Sequence, residues 1–243
     1  MELSVDDLRC ITLLHDLDNE EMTRFRNMAI PRMISRKQAV FHEGEQVEAI
    51  YFILHGLIKA YKTDEKGNEQ IISLLKAGDM FPYTGQFDSD LYPTTCMALV
   101  DTKLLAVPIR SFELMLASTP SIAFKMMSAM GSKIRELMDK LQGFTHRSVE
   151  DRGISLLIKL AEEYGIERDG GIYVGVPMTH QEIASIIGLA RESVTRLLNS
   201  LRKEGMVIVS RKGFYVKNLL ALKERVCVKE NCDHCRQLKL YNR

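Results

Sequence analysis

Hydrophobic positions follow three successive regimes along this chain. In the amino-terminal half, short apolar runs such as AIYFIL (49–54), LIKAYK (57–62) and QIISLL (70–75) are set off by Gly44, Gly56, Gly67 and Gly78, which recur every eleven or twelve residues. Short strands at that spacing predict an all-β sandwich or barrel, and DEKGNE (64–69) reads as a hairpin loop. From Pro120 the period changes. Ala123, Met127, Met130, Ile134, Leu137, Leu141 and Phe144 recur in alternating steps of four and three, a heptad seam on one long helix capped by Ser118 or Thr119, with Pro120 in its first turn.

The third regime begins with the strand-like IYVGV closed by Pro177 and continues into two short helices. Thr179-x-x-Glu182 is a capping box, and Ile183, Ile186 and Ile187 share one apolar face. Gly188 supplies the left-handed residue of a sharp turn. The second helix, from about Ala190, places Val194, Leu197, Leu198 and Leu201 toward a core and Arg191, Glu192, Thr195 and Arg196 on the opposite face. MVIVS, RKG and FYV after Gly205 form a β-hairpin wing. Strand, helix-turn-helix and wing in this order predict a winged helix domain. On its second helix, arginine can pair with guanine O6 and N7 and glutamate can accept from cytosine N4, so Arg191, Glu192 and Arg196 form a base-reading set. An isolated Arg-Glu pair is more often a solvated helix face, and it is the flanking wing that tips the reading to DNA.

Composition narrows the function class. The 243 residues are 46% hydrophobic, enough for one large core or two smaller ones. No stretch of 18 apolar residues occurs and the chain opens on the acidic MELSVDD, so a soluble, cytoplasmic protein with no membrane partner is expected. Net charge is only +1, and any positive field rests on local clustering of Arg191, Arg196, Arg202, Lys203, Arg211 and Lys212. There is no Gly-rich phosphate loop, HExxH or Gly-x-Ser-x-Gly, and the histidines are scattered, so no enzyme is predicted.

A second chemical signal lies in the tail. Cys227, Cys232 and Cys235 place three thiols within nine residues, a spacing suited to an iron-sulfur cluster. Zinc, with His234 as a neighbour, and thiols that bind nothing or form redox disulfides are the alternatives. Five cysteines in a cytosolic chain argue against a structural disulfide framework.

Thr179-x-Gln181-Glu182-Ile183-Ala184 with Gly188, followed by Arg191-Glu192-Ser193-Val194-x-Arg196, closely resembles the cyclic-AMP receptor protein and fumarate-nitrate reduction regulator superfamily of bacterial transcription factors, and the resemblance covers nearly the whole chain. It implies an α+β protein with these parts: a β-roll (double-stranded β-helix, or jelly roll) sensor domain, 1–117; a dimerisation helix, 118–146; a winged helix-turn-helix, 147–226; and a cysteine-containing tail, 227–243. It further implies a TGTGA-like half-site, with Arg191 and Arg196 on guanines and Glu192 on a cytosine. Thr179 and Gln181 are implied phosphate contacts, His180 stands where a further arginine is frequent, and Ser193 and Thr195 complete the DNA-facing set.

One five-base-pair half-site occurs about once per thousand base pairs, too often against roughly 10⁶ or more competing sites, so a two-fold homodimer on a palindrome is expected, with half-sites about one helical turn apart. RNA polymerase becomes a further partner if the protein activates. Residues 77–102 contain no arginine or lysine, Asp88 and Asp90 lie in the loop, and the family's phosphate-binding Gly-Glu and Arg-Ala or Arg-Ser pairs are missing, so cyclic AMP is not expected to bind. Tyr83, Gln86 and Tyr92 either line a pocket for another ligand or simply pack. In its tail the chain is similar to the oxygen-sensing Fnr-type branch of Gram-positive bacteria, which carries a carboxy-terminal four-iron, four-sulfur cluster with an aspartate as fourth ligand. Asp139 and Asp151 are the leading candidates for that ligand, with Glu150, Cys10 and Cys96 behind them. Cluster chemistry would then bias the long helix and the hinge around Thr145 to Asp151.

Overall fold

The computed structural model describes residues 8–15, 17–83, 90–146, 148–210 and 212–227, with the backbone alone at 139, 140, 142–146 and 227. Two compact units divide the chain at Lys140 and Leu141.

In the amino-terminal unit, strands β1 (Ile30–Ile34), β2 (Ala39–Phe41), β3 (Ala49–His55), β4 (Leu57–Thr63), β5 (Glu69–Lys76), β6 (Met80–Phe81), β7 (Thr95–Ala98) and β8 (Thr102–Pro108) form antiparallel sheets of order β1-β8-β3-β6 and β2-β7-β4-β5. The glycine spacing is explained by turning points: Gly44, Gly56, Gly67 and Gly78 all have positive φ. In the DEKGNE hairpin the Asp64 carboxylate accepts from the amides of Lys66 and Asn68 at 2.9 and 2.8 Å. The continuous apolar run of β3 follows from burial on both faces. Tyr51 and Ile53 join Phe41, Ile58, Phe81 and Leu104 between the sheets. Ile50 and Phe52 face a second core beneath helices α1 (Asn19–Met28) and α2 (Ile109–Ser118), where Phe52 meets Phe25 and Phe112 edge-on at centroid separations of 5.1 and 5.9 Å. Helix α1 starts on a capping box formed by Asp18 and Glu21.

Tyr92 resolves in favour of packing. It stacks on Phe41 at 3.7 Å, and its hydroxyl donates to the Ala49 carbonyl at 3.2 Å. Tyr83 is half-buried against both cores, while Gln86 and Asp88 lie outside the described residues.

Helix α3 runs from Pro120 to His146, so Pro120 does open it. Its apolar residues divide into two faces, which corrects the single heptad seam. Ile122 and Met126 are buried in the second core and Met130 packs against it. Phe124, Met127, Ile134, Met138 and Leu141 are 52–69% exposed, and with Gly131 they recur at steps of three and four. The exposed stripe therefore runs through 124, 127, 131, 134, 138 and 141, sharing only Met127, Ile134 and Leu141 with the expected one.

Beyond the end of α3, the carboxy-terminal unit continues with α4 (Val149–Tyr164), N-capped by Ser148. Strands β9 (Gly165–Arg168) and β10 (Gly171–Val174) follow, then helices α5 (His180–Ile187) and α6 (Arg191–Lys203), strands β11 (Val207–Ser210) and β12 (Gly213–Val216), and helix α7 (Leu219–Cys227). The strands form one sheet of order β11-β12-β10-β9. The β9–β10 hairpin turns at Asp169 and Gly170, both with positive φ. Only glycine fits at 213, where φ is 143° and a Cβ would lie 2.0 Å from the Val174 carbonyl oxygen. That contact lets the wing lie close to β10.

Candidate nucleic-acid interface

The helix-turn-helix forms as its side chains dictate. Thr179 Oγ1 accepts from the Glu182 amide at 3.1 Å and the Glu182 carboxylate accepts from the Thr179 amide at 2.9 Å. Gly188 ends α5 at φ 64°, ψ 45° and donates its amide to the Ala184 carbonyl, the left-handed cap that turns the chain into α6. Val194, Leu197, Leu198 and Leu201 are buried, while Arg191, Glu192, Arg196 and Asn199 are exposed. Burying those four large side chains stabilises the helix by about 1.5–3 kcal/mol each, which leaves the opposite face free to carry charge.

Two residues that periodicity missed position the helix-turn-helix. Gly153 of α4 sits beneath it, where a Cβ would lie 2.1 Å from Leu197 Cδ2, so the recognition helix packs closer than a larger residue would allow. Arg152 Nη1 donates to the Ile187 carbonyl at 3.1 Å, which satisfies an end of α5. Both act across the sequence, and neither carries a local signal.

On the exposed face, Arg191, Glu192 and Arg196 stand together on the first two turns of α6, and Arg196 Nη2 approaches Ser193 Oγ at 3.4 Å. Gln181 is exposed and Thr179 is held in its capping box. His180, at the position where the family frequently has an arginine, lies against Thr195 of α6. Its Nδ1 is 2.8 Å from Thr195 Oγ1, and that hydroxyl donates to the Arg191 carbonyl at 2.9 Å. The Thr195 hydroxyl is therefore already engaged. Arg202 and Lys203 extend the positive charge along the last turn, while Arg211 lies outside the described residues.

Residues 31–119 match the cyclic nucleotide-binding domain family, and residues 151–225 match the Crp-like helix-turn-helix domain. The global nitrogen regulator of Synechocystis sp. is 30% identical over 194 residues, 78% of this chain and 85% of that one. The chain belongs to the Crp/Fnr family. It is a DNA-binding transcriptional regulator and not an enzyme. The anaerobic regulatory protein of Bacillus subtilis is 26% identical to this Crp/Fnr regulator over 210 residues, 86% of this chain and 87% of that one. FixK2 from Bradyrhizobium japonicum superimposes with a TM-score of 0.70 at 22% identity, covering 81% of this chain and 96% of that one, and shares the fold.

The tail chemistry of this Crp/Fnr chain falls largely outside the described residues. Cys232 and Cys235 lie beyond them, Cys227 is placed by its backbone as the last residue of α7, and Asp139 is placed by backbone alone. Among the described residues no group of three or more histidine, cysteine or acidic side chains could hold a metal ion. Asp151 is buried, with its carboxylate accepting from Ser148 Oγ at 2.5 Å. Cys96 is buried in the roll, and burial pushes its thiol up to about 12. Among the described residues no helix is long and apolar enough to cross a membrane.

Proposed function

We propose that this regulator works as a homodimer on a TGTGA-like palindrome and answers to oxygen or redox state through a four-iron, four-sulfur cluster on Cys227, Cys232 and Cys235. The observation that carries the sensing part is the cysteine triplet itself, whose first member, Cys227, is the last residue of a helix anchored in the DNA-binding unit. Thiolates at that spacing are the donor set for soft metals and clusters. The relative in B. subtilis is named an anaerobic regulatory protein, which agrees with such a signal. The fourth ligand is an aspartate, Asp139 or Asp151. Of these, Asp151 accepts from Ser148 through one carboxylate oxygen, Oδ2. A bound cluster supplies an oxygen-labile, charged group, and the chain's part is to hold it on α7 and transmit its presence.

The dimer rests on the exposed stripe of α3, whose large apolar side chains recur at heptad spacing. The reading set rests on the clustering of Arg191, Glu192 and Arg196. The roll is assigned no cyclic AMP. Phe41, Tyr51, Phe81 and Tyr92 pack ring against ring in its interior, with Phe41–Phe81 and Tyr51–Phe81 centroids 5.9 and 5.4 Å apart, and residues 77–102 offer no cation for a phosphate. An activator would also need a surface for RNA polymerase.

A second reading is a Crp/Fnr regulator with no metal, governed by another small molecule or by its own abundance. The 30% identity to a global nitrogen regulator favours it. Strictly anaerobic purification separates the two. The cluster reading expects a coloured protein with iron and sulfide in equal amounts, both lost when Cys232 and Cys235 are replaced by serine. A colourless, iron-free protein would select the second reading, as would operator affinity indifferent to oxygen and reductant.

A further inference from the structure

Helix α7 is held to the rest of its unit by more than its apolar face. Leu222 and Val226, four residues apart, are buried, and Lys223 Nζ pairs with Glu162 of α4 at 2.6 Å. Arg225 makes the more consequential contact. Its Nη1 donates to Glu204, the C-cap residue of recognition helix α6, and its Nη2 donates to Glu150 in the first turn of α4. The same Nη1 lies 3.8 Å from the sulfur of Met206, just ahead of the wing. One guanidinium thus joins three elements: the helix that leads into the tail, the end of the recognition helix, and the head of α4.

The electrostatics make this joint sensitive to Arg225. A carboxylate at a helix C-terminus faces the negative end of the macrodipole, so Glu204 is badly placed by itself. Arg225 Nη1 offsets the Glu204 charge directly, and the Ser200 hydroxyl donates to the same carboxylate at 2.9 Å. Without the guanidinium, the carboxylates of Glu204 and Glu150 converge on a shared point and repel. Helix α6 spans 13 residues, about 20 Å at roughly 1.5 Å per residue, so a tilt of a few degrees at Glu204 moves its reading end by about 1 Å. Bidentate arginine-base pairs tolerate about half that displacement.

We infer that Arg225 is a positioning residue for DNA reading, one that fixes the far end of the recognition helix and couples it to whatever Cys227, two residues further on, comes to hold. The positioning stands on the contacts alone; the coupling rests on the cluster reading.

Full-length protein, purified in air with a chelator and checked by thermal melting, is titrated with its own selected operator and with a random duplex. Arg225→Met should weaken the operator about five- to twenty-fold and the random duplex less than about two-fold, with Arg225→Lys, which keeps one prong, in between. Adding Glu150→Gln and Glu204→Gln to Arg225→Met removes the repulsion and should recover most of the operator affinity. A merely structural arginine would lower the melting temperature and weaken both duplexes alike. That outcome, or an unchanged operator affinity, would overturn the assignment. In a second arm the anaerobically iron-loaded protein is compared with the metal-free form. If wild type shows an affinity difference, Arg225→Met of equal iron content should lose most of it, and an undiminished difference refutes the coupling. If wild type shows no difference, the cluster reading and the coupling fall together, while the metal-free arm still decides the positioning role.

Discussion

Arg196→Ala is expected to weaken operator binding by about 1–3 kcal/mol, roughly 5- to 150-fold, while affinity for random duplex changes little. The asymmetry is the point of the prediction. Arg196 is exposed on a helix whose other face is fully committed to the core, so its removal leaves no cavity. On the proposed reading, what is lost is contact with a base edge, which only the correct base pair supplies. If Arg196 touched only phosphate, both duplexes would weaken together and the salt dependence of each would flatten by about one unit. Fluorescence anisotropy on the two duplexes at several salt concentrations separates these outcomes.

Glutamates on the exposed stripe of α3 should have the second large effect. Ile134→Glu with Met138→Glu puts two charges where 52% and 62% exposed side chains now offer apolar surface. In a homodimer those positions would be buried, each large side chain stabilising the association by about 1.5–3 kcal/mol, and a charge there would have to be desolvated. Sedimentation should show the double variant as a monomer, and operator affinity should fall by about two orders of magnitude or more, because both half-sites are no longer engaged at once. The roll itself should remain folded, since Ile122, Met126 and Met130 face its core and are untouched. A double variant that still sediments as a dimer would place the interface elsewhere.

The legible parts of the chain were those whose signals are local. The capping box at Thr179, the glycine at 188 and the four buried apolar positions of α6 each depend on residues within one or two turns, and the helix-turn-helix stands where they put it. The seam on α3 was only half legible. That helix presents apolar residues to its own core and to the outside, and two interleaved stripes merge into one apparent period when burial is unknown. Strand β9, whose Gly165–Arg168 alternates poorly, escaped the pattern together with the Asp169-Gly170 turn after it. Gly153, Arg152 and Arg225 owe their roles to contacts 44, 35 and 75 residues away, which no window along the sequence contains.

The most direct test of the account is a binding-site selection from random duplex DNA with the full-length protein. Enrichment of an inverted repeat of TGTGA-like half-sites, centred about one helical turn apart, is the predicted result, and Arg196→Ala should relax the choice of one guanine in each half. Enrichment of a single unrepeated site, or of no sequence above background, would contradict the reading of Arg191, Glu192 and Arg196 as a paired recognition surface.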